Sequence, residues 1–240
     1  MRNRKVTFRL GETVGRLEES AGPPKGAVTL LESGTRIVSE LILSSIGRSG
    51  QTDSLNLETV GLETDDRGRL DVDDKFRTSV THIFAAGDVI GFPSFTAASR
   101  EQGRLPACHA FGIPAGPMAK QFPISIYSIP EMSVVGVSEQ ELTEQKVPYN
   151  TGVARYREIA LGQINGEDSG LLKILIHRED RRLLGVHAIV TGATELIRIG
   201  EAMLGLDGGL DYLLETVFNY PTLAERYRVA ALDAFNKSSH

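Results

Sequence analysis

The segment Thr78-Ser-Val-Thr-His-Ile-Phe-Ala-Ala-Gly-Asp88 ends an apolar run abruptly in a glycine and a carboxylate. This pattern predicts a strand that gives way to a turn at Gly87, where the missing Cβ lets another molecule approach the backbone. A carboxylate at the carboxyl edge of a strand is typical of a residue that binds a cofactor hydroxyl. The plainer alternative is an Asx turn, because Gly-Asp pairs are common in turns.

Length and composition fit a globular protein of one or two domains. The chain has 240 residues, 41% of them hydrophobic, which is enough to bury a core. A net charge of -5 argues against a nucleic-acid partner. No apolar run has the length of a membrane span, and Cys108 is the only cysteine, so no intrachain disulfide is possible. We therefore expect a cytoplasmic protein.

The first half of the chain is predicted to contain several strands followed by one helix. Alternating or apolar runs predict strands at 5–9, 28–31, 36–38 and 41–43. Residues 95–111 predict a helix, which we expect to kink at Gly103 and Pro106. Because no helix covers the opening strands, the pattern indicates that an N-terminal portion is missing.

The second half has the pattern of an α+β domain. Strands are expected at 152–159, 171–176 and 183–190, and helices at 195–204 and 211–217. Ser138 and Glu141 predict a capping box that opens a short helix, and Thr222 and Glu225 predict a second one. Asp211 is expected to cap its helix. The last two strands form a predicted hairpin, so the sheet should be antiparallel.

These segments resemble the C-terminal half of a pyridine nucleotide–disulfide oxidoreductase, a member of a flavoprotein family. The resemblance covers essentially the whole chain and rests on Gly47-Arg48, Thr78–Asp88, Ile129-Pro130-Glu131 with Val135-Gly136, and Phe218–Glu225. It implies an α/β plus α+β fold, in which an incomplete Rossmann-like portion precedes a dimerisation domain with an antiparallel sheet.

The same resemblance implies three parts, with the main boundary near the linker at 113–117. Residues 1–46 would be the tail of an NAD(P)-binding domain, 47–116 the C-terminal part of an FAD-binding domain, and 117–240 the dimerisation domain. We expect a homodimer formed through this last part.

The closing segment Phe218-Asn-Tyr-Pro-Thr-Leu-Ala-Glu225 narrows the activity that the resemblance implies. Disulfide-reducing members have a histidine immediately before the Pro-Thr pair and a glutamate five positions after that histidine. The two side chains together move thiol protons. Here Glu225 holds the glutamate position, but Tyr220 stands in place of the histidine. A phenol is a poor proton shuttle at neutral pH. Hydride exchange between NADPH and NAD through FAD needs no such pair, so the resemblance favours a transhydrogenase.

The resemblance also implies which residues contact the cofactor. Asp88 would accept a hydrogen bond from the ribityl chain of FAD, with Ala86 and Gly87 beside it. The first turn of the following helix, at Thr96 and Ala97, would face the flavin ring.

Three further residues carry both a functional and a structural interpretation. Arg48 would contact a nucleotide phosphate, or else be a solvated or ion-paired arginine. Tyr220 would form a wall of the partner subunit's flavin pocket, while Glu225 would serve only the capping box. The histidines show no metal-ligand spacing, so no metal is expected.

The family's two glycine-rich nucleotide fingerprints, each of the form GxGxxG, do not occur in this sequence. The pyrophosphate and adenine sites of FAD are therefore expected to lie outside it, and the chain is interpreted as an N-terminally truncated one with little activity alone. Two alternatives stay open. One is a non-catalytic dimerisation fragment, and the other is an oxidoreductase similar to dihydrolipoamide dehydrogenase or mercuric reductase.

Overall fold

A computed structural model describes residues 6–20, 25–119, 121–167 and 169–238. The chain consists of two units, Met1–Gly116 and Pro117–His240. The division falls within the stretch that the sequence indicates as a linker. The further boundary between residues 46 and 47 stays a prediction.

The first unit contains a three-stranded antiparallel sheet and one long helix. In its described residues the elements are β1 (Val14–Glu19), β2 (Ala27–Leu31), β3 (Arg36–Ser39), 3-10 helices at Leu57–Val60 and Gly87–Ile90, and α1 (Thr96–Ala110). The central strand β2 pairs with both neighbours, yet β1 is exposed along its whole length. A separate small core forms around Leu62, Leu70 and Ala85. This second core lies close in sequence to the Asp88 turn and supports it.

Two of the predicted strands in this unit were wrong. Residues 6–9 and 41–43 form no strand, and Lys5 lies outside the described residues. Leu41 and Leu43 are 83% and 88% exposed, so this apolar run has no surface of its unit to pack against. The helix α1 continues through Pro106 to Ala110, with Leu105 and Pro106 buried, and the kink at Gly103 and Pro106 stays a prediction.

The second unit is a five-stranded antiparallel sheet with helices, which confirms the α+β prediction for this half. Its strands are β4 (Ile124–Ile126), β5 (Met132–Gly136), β6 (Tyr149–Arg155), β7 (Leu171–His177) and β8 (Leu183–Ile189). Its helices are α2 (Glu139–Glu144), α3 (Ala160–Asn165), α4 (Ala193–Gly205), α5 (Leu210–Glu215) and α6 (Glu225–Ser238), with a 3-10 turn at Tyr156–Glu158. The strand order is β4-β5-β8-β7-β6.

The core of this unit lies between the sheet and the helices α4 and α6. Leu172 and Ile174 alternate along β7 toward this core and are fully buried. Small residues bring α6 close to the sheet, since Ala230 and Ala234 are fully buried as well. A Cβ at Gly152 of β6 would lie 2.0 Å from the Ala230 carbonyl oxygen. Only glycine therefore fits where α6 crosses β6.

A buried tyrosine fixes α6 against α4. The Tyr227 hydroxyl accepts a hydrogen bond from the Gly200 N–H at 3.0 Å and donates one to the Leu196 carbonyl at 2.9 Å. Burial raises the pKa of Tyr227 far above its usual range, so the hydroxyl keeps the proton that it donates. The rotation and height of α6, which begins at Glu225, are thereby tied to one turn of α4.

Local hydrogen bonds explain why one predicted strand in this unit ends early. The strand β6 stops at Arg155 rather than continuing to residue 159. The Glu158 carboxylate accepts the Arg155 N–H at 2.8 Å and closes a 3-10 turn. The capping box of Ser138 and Glu141 is confirmed.

The two other predicted helix caps were wrong. Asp211 lies in the first turn of α5 behind the N-cap residue Gly209, and its carboxylate pairs with Arg181 at 2.8 Å. Thr222 donates its hydroxyl hydrogen to the Asn219 carbonyl at 2.7 Å, in the turn before α6. This hydroxyl is therefore engaged outside the helix.

The close approach of α6 to β6 predicts a large effect of one added methyl group. We expect Gly152→Ala to lower the free energy of unfolding of this unit by about 2–3 kcal/mol, because overpacking displaces the backbone. All six tyrosines lie in the second unit and the chain has no tryptophan, so tyrosine fluorescence during urea unfolding reports on this unit alone.

Gly205→Ala is the matched control, since a Cβ at this end of α4 meets nothing within 4 Å. We expect it to be neutral or slightly stabilising. Equal urea midpoints for Gly152→Ala and the unsubstituted chain would contradict the packing argument.

Candidate functional site

The loop that leads to Asp88 is shaped by hydrogen bonds from side chains to the backbone. One Asp73 oxygen accepts the N–H groups of Lys75 at 2.8 Å and Arg77 at 2.9 Å, and the other accepts from the Arg77 guanidinium at 2.8 Å. These bonds, led by the Arg77 N–H, lower the pKa of Asp73 to about 2. The Thr78 hydroxyl bonds to the Ile83 carbonyl at 3.0 Å. The loop is thus closed on itself before the turn begins.

Gly87 turns the chain from this loop into a 3-10 helix. The approach is less regular than the predicted strand, since in the described part of the chain it forms one isolated bridge, from Phe84 to Arg77. Gly87 has a φ of +82°, a conformation that favours glycine. Its N–H donates to the Gln102 side-chain oxygen at 2.8 Å, and Gln102 is only 2% exposed. This buried bond ties the turn to the middle of α1.

Asp88 forms an ion pair in this structure. The Arg48 Nη2 lies 3.0 Å from the Asp88 Oδ2, with 73% of the arginine side chain and 33% of the aspartate side chain exposed. Arg48 comes from the extended segment after β3, about forty positions earlier in the chain. The pairing was one of the two alternatives for Arg48 in the sequence analysis.

A pocket of about 510 Å³ opens beside this ion pair. Its lining residues are Arg48, Asp88, Ser94, Phe95, Thr96, Ser99 and Arg100. The N-cap residue of α1, Phe95, makes no side-chain cap hydrogen bond to this 15-residue helix. Hydroxyl groups, two guanidinium groups and one carboxylate thus surround the pocket. This set suits a ligand that carries hydroxyl groups and an anionic group.

Three of the six predicted cofactor contacts line the pocket: Arg48, Asp88 and Thr96. Gly87 shapes the turn, and Ala86 lines a separate apolar pocket of about 270 Å³ against α1. Ala97 is exposed and lines neither pocket. All six stay predictions as ligand contacts.

Several residues of the site were missed by the sequence analysis. Ser99 and Arg100 lie three and four positions after Thr96, and this spacing places side chains on one face of a helix. That spacing could have predicted that Ser99 and Arg100 lie beside Thr96. The sequence signal for Gln102 was weaker, because it is only a polar residue between the apolar positions Ala98 and Leu105.

Tyr220 and Glu225 belong to the second unit. Tyr220 is 72% exposed. The Glu225 Oε2 is buried, and no hydrogen-bond partner for it occurs in the described part of the chain. The predicted capping role of Glu225 is not formed, and its role as an acid or base stays a prediction.

Known proteins place the chain in a family. The model of the family described as "Pyridine nucleotide-disulphide oxidoreductase" matches residues 1–103, and the model of its dimerisation domain matches residues 122–231. The chain belongs to the pyridine nucleotide-disulphide oxidoreductase family, as the sequence analysis indicated.

Curated relatives are similar over nearly the whole chain. A soluble pyridine nucleotide transhydrogenase of Mycobacterium bovis is 53% identical over 237 residues, which cover 99% of this chain and 50% of the relative. One from a Marinomonas species is 45% identical over 240 residues, which cover 99% of this chain and 51% of the relative. The chain spans about half the length of the curated relatives it matches.

Solved structures show the same fold at low sequence identity. LpdA from Mycobacterium tuberculosis is 24% identical with a TM-score of 0.79, and the match covers 96% of this chain and 50% of LpdA. The HOCl-induced flavoprotein disulfide reductase RclA from Escherichia coli is 23% identical with a TM-score of 0.83, covering 96% and 53%. These neighbours confirm the predicted combination of a Rossmann-like portion and a dimerisation domain. Across the described residues, no helix is both long and apolar enough to cross a membrane.

The bond between Gly87 and Gln102 generates a direct prediction. Gln102→Leu keeps a similar volume but leaves a buried N–H unpaired, which costs about 1–3 kcal/mol. We expect amide hydrogen exchange at Gly87 to become at least about fivefold faster.

The adjacent substitution Glu101→Gln is the control, because it removes only the exposed pair of Glu101 with Arg104. We expect little change at Gly87 from this control, since such pairs contribute little. Unchanged exchange at Gly87 in Gln102→Leu would show that the turn does not depend on the bond.

Proposed function

We propose that this chain supplies the flavin-positioning site and the dimerisation domain of an FAD-dependent NAD(P) transhydrogenase. The observation that carries the proposal is the pocket beside Asp88, in a chain whose curated relatives are soluble pyridine nucleotide transhydrogenases. When bound, the flavin supplies the chemistry of hydride transfer between NADPH and NAD. The chain's own residues bind and orient it.

The residues around the pocket fit such a group. The Asp88 carboxylate is an acceptor for ribityl hydroxyl groups, and the Arg48 guanidinium is a donor for phosphate. The first turn of α1, at Thr96 and Ala97, offers N–H groups and the positive end of the helix to the ring carbonyls. Gly87, with Ala86 before it, leaves space for close approach to the backbone.

The closing segment supports transhydrogenation over disulfide reduction. Tyr220 occupies the position at which disulfide-reducing members have a histidine, so the imidazole of their proton-transferring pair has no counterpart at this position. Glu225 has no partner that would make it a proton relay among the described residues. Hydride exchange between nicotinamides requires no proton relay to a thiol.

The second unit supports a homodimer through residues 117–240. The unit matches the dimerisation-domain model. Apolar side chains at the closing segment are also exposed, with Val217 at 87% and Tyr220 at 72% exposure. We place Tyr220 against the flavin pocket of a partner subunit. We also propose a cytoplasmic location, where NADPH and NAD are available.

The second candidate function is a dimerisation module without catalysis. The match of the dimerisation-domain model to residues 122–231 favours it, because a dimerisation module requires no nucleotide site. Flavin binding separates the two candidates, since only the first requires it.

The flavin site is tested by titrating the chain with FMN, which carries the ring, the ribityl chain and one phosphate. We expect quenching of the flavin fluorescence on binding. Asp88→Ala should lower the affinity for FMN roughly tenfold, because a hydrogen bond to a charged acceptor is lost.

Asp66→Ala is the control, since Asp66 is exposed and lies outside the pocket. We expect it to bind FMN as the unsubstituted chain does. A chain that dimerises but does not bind FMN would support the module without catalysis.

The dimer is tested by light scattering after gel filtration. We expect twice the 26.1 kDa mass of the chain. Val217→Asp should shift the mass toward the monomer, because it places a charge in an apolar contact. Leu10→Asp, at an 85% exposed leucine of the first unit, should leave the dimer intact. A monomeric unsubstituted chain would contradict the proposal.

A further inference from the structure

The carboxylate that is proposed to hold the ribityl chain already has a partner. Its Oδ2 lies 3.0 Å from the Arg48 Nη2, inside the same pocket. A ligand hydroxyl that approaches this oxygen of Asp88 must therefore compete with a guanidinium group. The same guanidinium is the proposed donor for a ligand phosphate. Arg48 therefore has two possible partners, the Asp88 carboxylate and the ligand phosphate.

The exposure of the two side chains indicates that this pair can exchange. Arg48 is 73% exposed and Asp88 33% exposed, so water screens their attraction. Exposed ion pairs of this kind contribute little to stability. A phosphate offers more acceptor oxygens and up to two charges, and guanidinium groups bind it with two parallel hydrogen bonds. A phosphate in the pocket can therefore draw Arg48 away from the carboxylate.

Resting on the proposed function, we propose that Arg48 masks Asp88 until a phosphate-bearing flavin draws the guanidinium onto its phosphate. The freed carboxylate then accepts the ribityl hydroxyl. A flavin without a phosphate has to break the ion pair without offering Arg48 a new partner. The pocket thereby selects flavin nucleotides over riboflavin through the exchange of one ion pair.

The second arginine of the pocket provides a matched control. Arg100 lies on α1 and lines the pocket, but it has no acidic partner in the described part of the chain. It attracts an anion without covering the carboxylate. Substitution of Arg100 therefore removes positive charge from the pocket and leaves the masking of Asp88 in place.

The experiment compares FMN and riboflavin, which differ only in the phosphate, by titrations of flavin fluorescence with the unsubstituted chain, Arg48→Gln and Arg100→Gln. We expect Arg48→Gln to weaken FMN binding roughly tenfold, because a charge-assisted contact is lost. The same substitution should strengthen riboflavin binding about two- to fivefold, because the ion pair no longer competes. Arg100→Gln should weaken FMN binding without strengthening riboflavin binding.

Salt supplies an independent readout of the same exchange. Added salt screens the exposed ion pair, so riboflavin should bind the unsubstituted chain more tightly as salt rises. In Arg48→Gln this salt effect on riboflavin should disappear. Both effects concern binding and need no enzymatic turnover.

The outcomes separate the masking from the proposed function. If FMN binds but Arg48→Gln leaves riboflavin binding unchanged or weaker, the exchange is wrong while the flavin site stands. If Arg48→Gln weakens neither ligand, Arg48 is not the phosphate contact and the exchange is also overturned. If neither flavin binds the unsubstituted chain, the flavin site itself fails, and the masking fails with it.

Discussion

The hydrogen bond from the Gly87 N–H to the Gln102 side chain holds the candidate site together. It is buried and 2.8 Å long, so water does not compete for either group. Through it, the turn that carries Asp88 and the helix that carries Thr96, Ser99 and Arg100 become one structure. The pocket depends on this connection, because its carboxylate and its hydroxyl groups come from the two sides of the bond.

The two units contrast in how much of their structure is buried. The second unit has a continuous core around residues such as Ile174 and Val186, and the contacts of Gly152 and Tyr227 fix α6 within it. Among the described residues of the first unit, the buried apolar cluster around Leu62 is small, and the strand β1 is exposed throughout. Segments with few buried apolar contacts open at lower free energy. The turn that carries Asp88 thus lies in the unit with fewer buried apolar contacts, and it is supported mainly by hydrogen bonds.

Local patterns in the sequence were sufficient for much of the fold. Periodicity predicts the helix α1 and the hairpin of β7 and β8, and a local cap predicts the capping box of Ser138. These signals act over a few residues. The short apolar run at Leu41 to Leu43 has the same composition as a strand but no buried surface to cover. Composition alone therefore does not determine whether a short apolar run forms a strand.

The site shows a similar limit. The residues around Asp88 were predictable because they form a continuous motif, whereas the pairing of Asp88 with Arg48 joins segments about forty positions apart. Arg226 is a stronger example, since its charge predicts an exposed side chain. In the structure it is fully buried, with its guanidinium 3.7 Å from the centre of the Tyr156 ring. Contacts of this kind depend on the tertiary structure, and one sequence does not specify them.

The central claim is that the Asp88 carboxylate binds the flavin and changes partner to do so. It is tested most directly by carboxyl and guanidinium NMR spectra of the full chain during a titration with FMN. The resonances of the Asp88 side chain and the Arg48 side chain should shift together, at the FMN concentrations that saturate the flavin fluorescence change. Saturation of the fluorescence change with both resonances unmoved would contradict the account.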